Sequence, residues 1–404
     1  MATRSSAIGR AKTARRPVRH VKIGELSGRH PAVLLGITTA ALVLLGLVMV
    51  LSASSVESFA SSGSSFVYFQ KQLIWVSLGV VAYVIGTRIH YLRLRAVARS
   101  LFALSVLLLM VVLIPGVGTS VGGSARWIAL GPLTFQPSEL AKLALVLFLA
   151  DAFATKKEVR LRDLRETLIP VLPAIGILAF LVMRQPDLGT TLLLGITGMG
   201  VLFVAGAPVR YMATMFLTGA ALGAIGALVA PYRRARILAF LDPWKDPLVT
   251  GYHTIQSLIA LGSGGLFGVG LGASRQKWLY VPNAHTDFIF AIIGEELGLM
   301  GTATVVGIFG FVCYLGIRIA ARAADRFGML VAAGITIWIS VQAMVNMGAV
   351  TGAMPITGVP LPLVSFGGSS LVVSMLAMGI LTNIAIYGRH GSRAKTSRTA
   401  AAGS

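Results

Sequence analysis

Apolar residues along this chain gather into runs of about twenty, separated by polar stretches rich in Arg, Gly and Pro, and this pattern predicts membrane-spanning helices. The runs fall at roughly 33–53, 72–90, 100–117, 138–154, 168–183, 188–206, 212–231, 287–316, 328–348 and 368–387, each long enough to cross a hydrocarbon core. About ten spans place both termini on one side. Most connections are short, but residues 231–286 form a long loop that is not low-complexity. Inside it the apolar piece Thr254–Leu261 is too short to span and reads as a re-entrant or interfacial helix.

Composition agrees with this reading. With 55% hydrophobic and 12% charged residues and a mean hydropathy of +0.81, the chain is too apolar for a soluble globule. The expected class is an all-α polytopic membrane protein. Its lone cysteine, Cys313, excludes a disulfide framework and a thiol metal site. The formal charge of +21 carries topological information. Of the 35 Lys and Arg, 25 fall in segments assigned to the cytosol and nine on the other side, with Lys142 inside a span. Residues 1–32 read as a basic cytosolic tail, 33–387 as one membrane domain, and 388–404 as a second basic tail. Nothing supports a nucleic-acid role for that charge, which serves as a solvated topology signal.

Polar residues at the ends of spans carry the candidate chemistry, and most lie on the outer side. In VPNAHTDFIFAIIGEELG a proline-started turn runs into an apolar helix, so Asp287 sits where water gives way to hydrocarbon. A carboxylate there either caps the helix or is used: burial raises its pKa towards a general base's range. His285 stands two residues before it. Glu139 and Lys142 are one turn apart at the start of the fourth span, able to pair or to face a ligand. Arg184 and Asp187 share the QPDLGT turn. Arg233, Arg234, Arg236, Arg275 and Lys277 in the long loop offer an outer-face site for an anion. The proline-rich, uncharged Gly352–Ser370 segment enters the last span through Ser369, and such backbone belongs beside a cavity.

The glycines between 262 and 272 form no nucleotide motif, since no Gly-Lys-Ser/Thr follows; flexible backbone or close helix approach accounts for them. Gly294 and Gly298 form a small-xxx-small pair. If the eighth span is helical from Asp287, Glu295 lies about 80° from it around the axis and Glu296 opposite. Both read first as structural hydrogen-bond groups.

VPNAHTDFIFAIIGEELG, GYHTIQSLIALGSGGLFGVGLG, GPLTFQPSELAK, QPDLGT and MPITGVPLPLVSFGGSS together resemble motifs of the SEDS family (shape, elongation, division and sporulation) over residues 33–387. LSASSVESF, FQKQLIW and LDPWKDP resemble the division branch more than the elongation branch. The resemblance implies a peptidoglycan glycosyltransferase of the cytoplasmic membrane, at the division septum, that polymerises lipid II on the outer face. Its implied partners are a class B penicillin-binding protein and other divisome membrane proteins. It makes Asp287 the catalytic residue, with Glu139, Lys142, Arg184 and Asp187 lining the same cavity, and Arg233, Lys277, His285 and Ser369 complete the expected substrate-binding set. A divalent cation, Mg or Mn, is an expected aid to the leaving group, though no dedicated metal cluster is visible.

Two positions depart from the family pattern: Asn283 replaces a glutamate, and Thr357-Gly358 stands where some relatives carry a lysine. Broken helices around a polar cavity also build transporters, so a lipid II flippase is the alternative, and a non-catalytic division scaffold is the third reading.

Overall fold

The computed structural model describes residues 31–401 apart from 122–123, 132, 157–162, 230, 279 and 282–283, so most of the N-terminal tail and Asn283 lie outside the described residues. The chain is a bundle of long helices: α1 (Pro31–Ser62), α2 (Val67–Arg88), α3 (Tyr91–Val112), α4 (Pro137–Ala154), α5 (Leu164–Arg184), α6 (Leu188–Ala205), α7 (Val209–Val229), α8 (Pro231–Leu241), α9 (Tyr252–Ser263), α10 (Ile289–Ala321), α11 (Arg326–Val350) and α12 (Gly368–Ala401). Among the described residues eight helices are long and apolar enough to cross a membrane. The expected count was about ten; the other two predicted spans fall on α4 and α7. Over its 18 residues α4 holds Glu139, Lys142 and Asp151, and most of its side chains are buried with none exposed, so protein largely replaces lipid as its surroundings.

The all-α expectation misses a small antiparallel sheet between α3 and α4: β1 (Gly118–Val121), β2 (Ser124–Leu130) and β3 (Leu133–Phe135), in that order. Its register pairs Thr119 with Trp127 and Ile128 with Phe135. The strands are three to seven residues long, so their alternation is hidden beside runs of twenty.

The 231–286 loop is ordered by two helices. The short one expected at Thr254–Leu261 is α9; the preceding Arg-rich stretch, read only as a cationic run, is α8.

In α10 the expected continuous helix from Asp287 is corrected twice. The helix begins at Ile289, and it breaks at Gly298, where φ is +67°. The angular relation between Asp287 and Glu295 therefore does not hold. At the break the glycine loop docks as a backbone ladder: Val269 N donates to Glu295 O (2.9 Å), Gly270 N to Glu296 O (3.1 Å), and Leu299 N to Gly265 O (2.9 Å). Gly298 thus opens a helix rather than packing one span on another. The apolar core runs through α4, α10, α11 and α12, where Leu145, Ile292, Trp338 and Leu381 are fully enclosed.

Candidate active site

Asp287 ends the turn that leads into α10. It does not cap that helix: the N-cap is Phe288, with no side-chain bond. Instead its side chain opens on a cavity of about 150 Å³ lined by Arg236 and Phe240 of α8, His253 and Thr254 of α9, and Ile356 and Gly358 of the proline-rich segment. Among the described residues nothing donates a hydrogen bond to its carboxylate. Protein surrounds the group except on the cavity side, and this burial, with the nearby Asp187 charge, pushes its pKa up to about 6 against the pull of Arg126, Arg236 and His285. It is therefore mostly ionised at neutral pH, yet a far better proton acceptor than an ordinary aspartate.

The cavity walls are set by backbone geometry. Gly358 has φ +70°, and a Cβ built there would lie 3.5 Å from Asp287 Oδ2. From α11, Asn346 Nδ2 donates to Asp287 O and to Val359 O, each at 2.8 Å. One turn earlier Gln342 Nε2 donates to Pro360 O (3.0 Å). His253 stacks on Phe288 at 5.8 Å, its Nδ1 buried without a partner among the described residues, and burial with the nearby Arg236 charge lowers its pKa. It is thus a neutral imidazole at pH 7.

The other expected site residues are spread through the bundle. Lys142 is buried and its ammonium is shared between Glu139 (Oε1 3.0 Å, Oε2 2.9 Å) and Gln342 Oε1 (2.8 Å), over the Trp338 ring at 5.1 Å. Of the two readings of this pair, the geometry is that of a buried ion pair. Asp187 caps α6, accepting from Thr190 N (3.1 Å) and Thr190 Oγ1 (3.0 Å), and faces Arg126 Nη1 at 3.6 Å. Arg126, on β2, also donates to Gln185 O (3.0 Å) and Pro186 O (2.7 Å), so the small sheet clamps this turn. Arg184 is exposed at the end of α5.

His285 points away from the cavity. Its Nδ1 meets Glu57 Oε2 at 3.2 Å, and its ring lies against Tyr68 (4.7 Å) and Phe366 (5.4 Å), which ties α1, α2 and the proline-rich segment together. Lys277 is buried too: its Nζ donates to Gly272 O (2.5 Å) and pairs with Glu296 (3.8 Å) beside the α10 break. Ser369 Oγ accepts from Gln136 N (3.0 Å), joining α12 to the start of α4. Arg233 lies on α8, its side chain outside the described residues. Glu295 and Glu296 accept from Ser274, Arg275 N and Ser52, in keeping with their structural reading.

From the sequence, Arg236 stood only as one of several loop cations, and His253, Arg126, Gln342 and Asn346 were not named as site residues. A signal existed for two groups. On a helix Arg236, Ala239 and Phe240 share a face, and Gln342 and Asn346 form an amide stripe in an otherwise apolar span.

The chain was compared with known proteins. The family described as cell cycle protein, comprising FtsW, RodA and SpoVE, matches residues 32–390. Stage V sporulation protein E of Bacillus subtilis is 43% identical over 361 residues, 89% of this chain and 98% of that protein. A probable peptidoglycan glycosyltransferase FtsW of Geobacter metallireducens is 40% identical over 356 residues, 88% of this chain and 94% of that one. A solved structure described as a peptidoglycan synthase complex that coordinates polymerization and crosslinking aligns with TM-score 0.70 and 30% identity, covering 87% of this chain and 96% of that chain. The rod shape determining protein RodA of Thermus thermophilus aligns with TM-score 0.64 and 31% identity, covering 87% and 95%.

Proposed function

This chain belongs to the FtsW, RodA and SpoVE family of cell cycle proteins, the SEDS family, and is FtsW-like; from that premise we propose how it works as a peptidoglycan glycosyltransferase. The protein is a multi-pass membrane enzyme. Its substrate is lipid II, taken from the outer leaflet of the cytoplasmic membrane, with both termini cytosolic and the enzyme acting at the division septum. Asp287 is the general base. It removes the proton from the 4-hydroxyl of one lipid II sugar as that oxygen forms its bond to the anomeric carbon of another. The bond from that carbon to phosphate breaks, and undecaprenyl pyrophosphate leaves with the electron pair. One displacement turns an α-linked phosphate into a β-linked sugar, so a single base suffices and no sugar-enzyme intermediate is needed.

The observation that carries this reading is the Asp287 carboxylate: it faces a cavity, lacks a hydrogen-bond donor among the described residues, and is flanked by Arg236. Arg236 is the cation best placed for the pyrophosphate, with Arg126 adding field. Asp187 is committed to Thr190 and Arg126, and among the described residues no group of three His, Cys, Asp or Glu could hold a metal ion. A divalent cation, Mg or Mn, would rely mainly on the substrate's own phosphates and would neutralise charge on the leaving group. A class B penicillin-binding protein is the proposed transpeptidase partner, among other divisome proteins; a related chain's description as a complex of polymerization and crosslinking supports it.

The test is glycan-strand formation from purified lipid II by the protein with its transpeptidase partner, comparing wild type with Asp287→Asn at matched amounts. Wild type should make strands and the variant none. Equal polymerisation by both removes the base assignment, and strands from neither return the field to the flippase or the non-catalytic scaffold.

A further inference from the structure

Asn346 is 2% exposed and lies on α11, well away from every charged group of the chain's candidate chemistry in sequence. Its single amide nitrogen makes two bonds of 2.8 Å, one to the backbone oxygen of Asp287 and one to that of Val359. Val359 follows Gly358, the residue that closes against the Asp287 carboxylate from the opposite side. One side chain therefore fixes both the segment that carries the carboxylate and the segment that faces it. Asn346 Oδ1 is buried with no partner among the described residues, so the hold is made by the amide N–H donors. The helix supplying them is rigid: it is largely buried, and one turn earlier Gln342 grips Pro360 O while accepting from Lys142 and Trp338.

We propose that Asn346 is the positioning residue of the reaction, setting the distance between Asp287 and the Gly358 wall by holding the two backbones on one amide. This rests on the reading of Asp287 as the base. It gives the buried Glu139–Lys142–Gln342 chain a further purpose, since that chain anchors the α11 face from which Asn346 reaches. A displacement of about 1 Å at a reacting group is enough to cost about a hundredfold in rate, so such a hold bears on turnover more than on affinity.

The experiment measures initial polymerisation rates with the partner present, over about pH 5 to 8, for wild type, Asp287→Asn, Asn346→Ala and Asn346→Asp. Five titratable or charged groups act on Asp287 electrostatically or line its cavity: Asp187, Arg126, Arg236, His285 and, from α9, His253. None is altered by these variants. Asn346→Ala frees the Asp287 backbone and lets water in; kcat should fall at least about tenfold with KM within about threefold, and the acid limb should move to lower pH. Asn346→Asp keeps the outline but, as a carboxylate, has no N–H to donate to Asp287 O or Val359 O, so kcat should fall as in Asn346→Ala while the added charge near the base moves the acid limb to higher pH. Loss of turnover in both variants, with the acid limb displaced in opposite directions, is what positioning requires.

The inference is overturned if Asp287→Asn is inactive while both folded Asn346 variants keep the wild-type kcat and acid limb. It is equally overturned if their losses are uniform across pH and follow thermal stability alone. Wild-type activity in Asp287→Asn would instead show that the functional reading has failed. If Asn346→Ala does not fold, Asn346→Gln, which keeps the amide donors but displaces them by one methylene, decides the matter: a fall in kcat supports the inference and wild-type kcat overturns it.

Discussion

Asp287 concentrates the conflict between stability and use. Burial and Asp187 raise its pKa from 3.8 to about 6, so the folded state binds this proton more tightly than the unfolded chain. The sign follows directly: this group disfavours the fold increasingly as pH rises from about 4 to about 6, and the full penalty, on the order of 2 kcal/mol after allowing for water in the cavity, is present at neutral pH. Asp287→Asn should therefore unfold at a temperature equal to or above wild type while polymerising no lipid II, as thermal melts in detergent and strand assays will read. A helix-capping residue would behave oppositely. For the same reason the wild-type kcat/KM should rise with pH through about 6 and then level, because only the carboxylate accepts the proton. Asp287 was legible in the sequence because a carboxylate where a polar turn meets an apolar helix needs a reason. Arg236 was not, because choosing among Arg233, Arg234 and Arg236 requires the face of α8.

At the level of elements, the break in α10 and the glycine loop are one unit. Gly268 has φ +81°, and a Cβ there would sit 2.1 Å from Glu296 O, so neither the conformation nor the space admits a side chain. Gly268→Ala should cost roughly 2–4 kcal/mol and lower the unfolding temperature by several degrees. Gly307, also a glycine of α10, has nothing within 4 Å of its added Cβ, so Gly307→Ala should be neutral or slightly stabilising in the same melt. The sequence announced glycines and close approach but could not say which surfaces meet: the partner of Gly268 is the backbone at the break in α10.

Across the whole molecule, α4 and α11 meet through the buried Glu139–Lys142 pair, Gln342 and Trp338. Breaking a buried pair strands a charge, whereas removing both partners does not. Lys142→Met should destabilise by about 3–5 kcal/mol, and Glu139→Gln combined with Lys142→Met by less, measured by detergent melts. Orientation is tested in a Cys313→Ser background. A thiol at Leu248, in the long loop, should react with an impermeant maleimide on intact cells, and one at Arg322 only after permeabilisation. The reverse pattern would invert the topology drawn from the distribution of Lys and Arg.

The sequence by itself determined the membrane class, the positions of the long helices, the boundary carboxylate Asp287 and the family, because spanning length, hydropathy and motif order are local properties of a chain. Only the tertiary structure decided what surrounds that carboxylate. Lys142, Lys277 and His285 look in sequence like polar residues free to meet a ligand, but in the bundle each is already partnered by Glu139, Glu296 or Glu57. Arg236, His253, Gly358 and Asn346 converge on Asp287 from four segments spread over more than a hundred residues of chain. Local pattern fixes which residues are buried or turned, but which buried polar groups meet depends on helix rotation and packing, and that is set by the whole core at once.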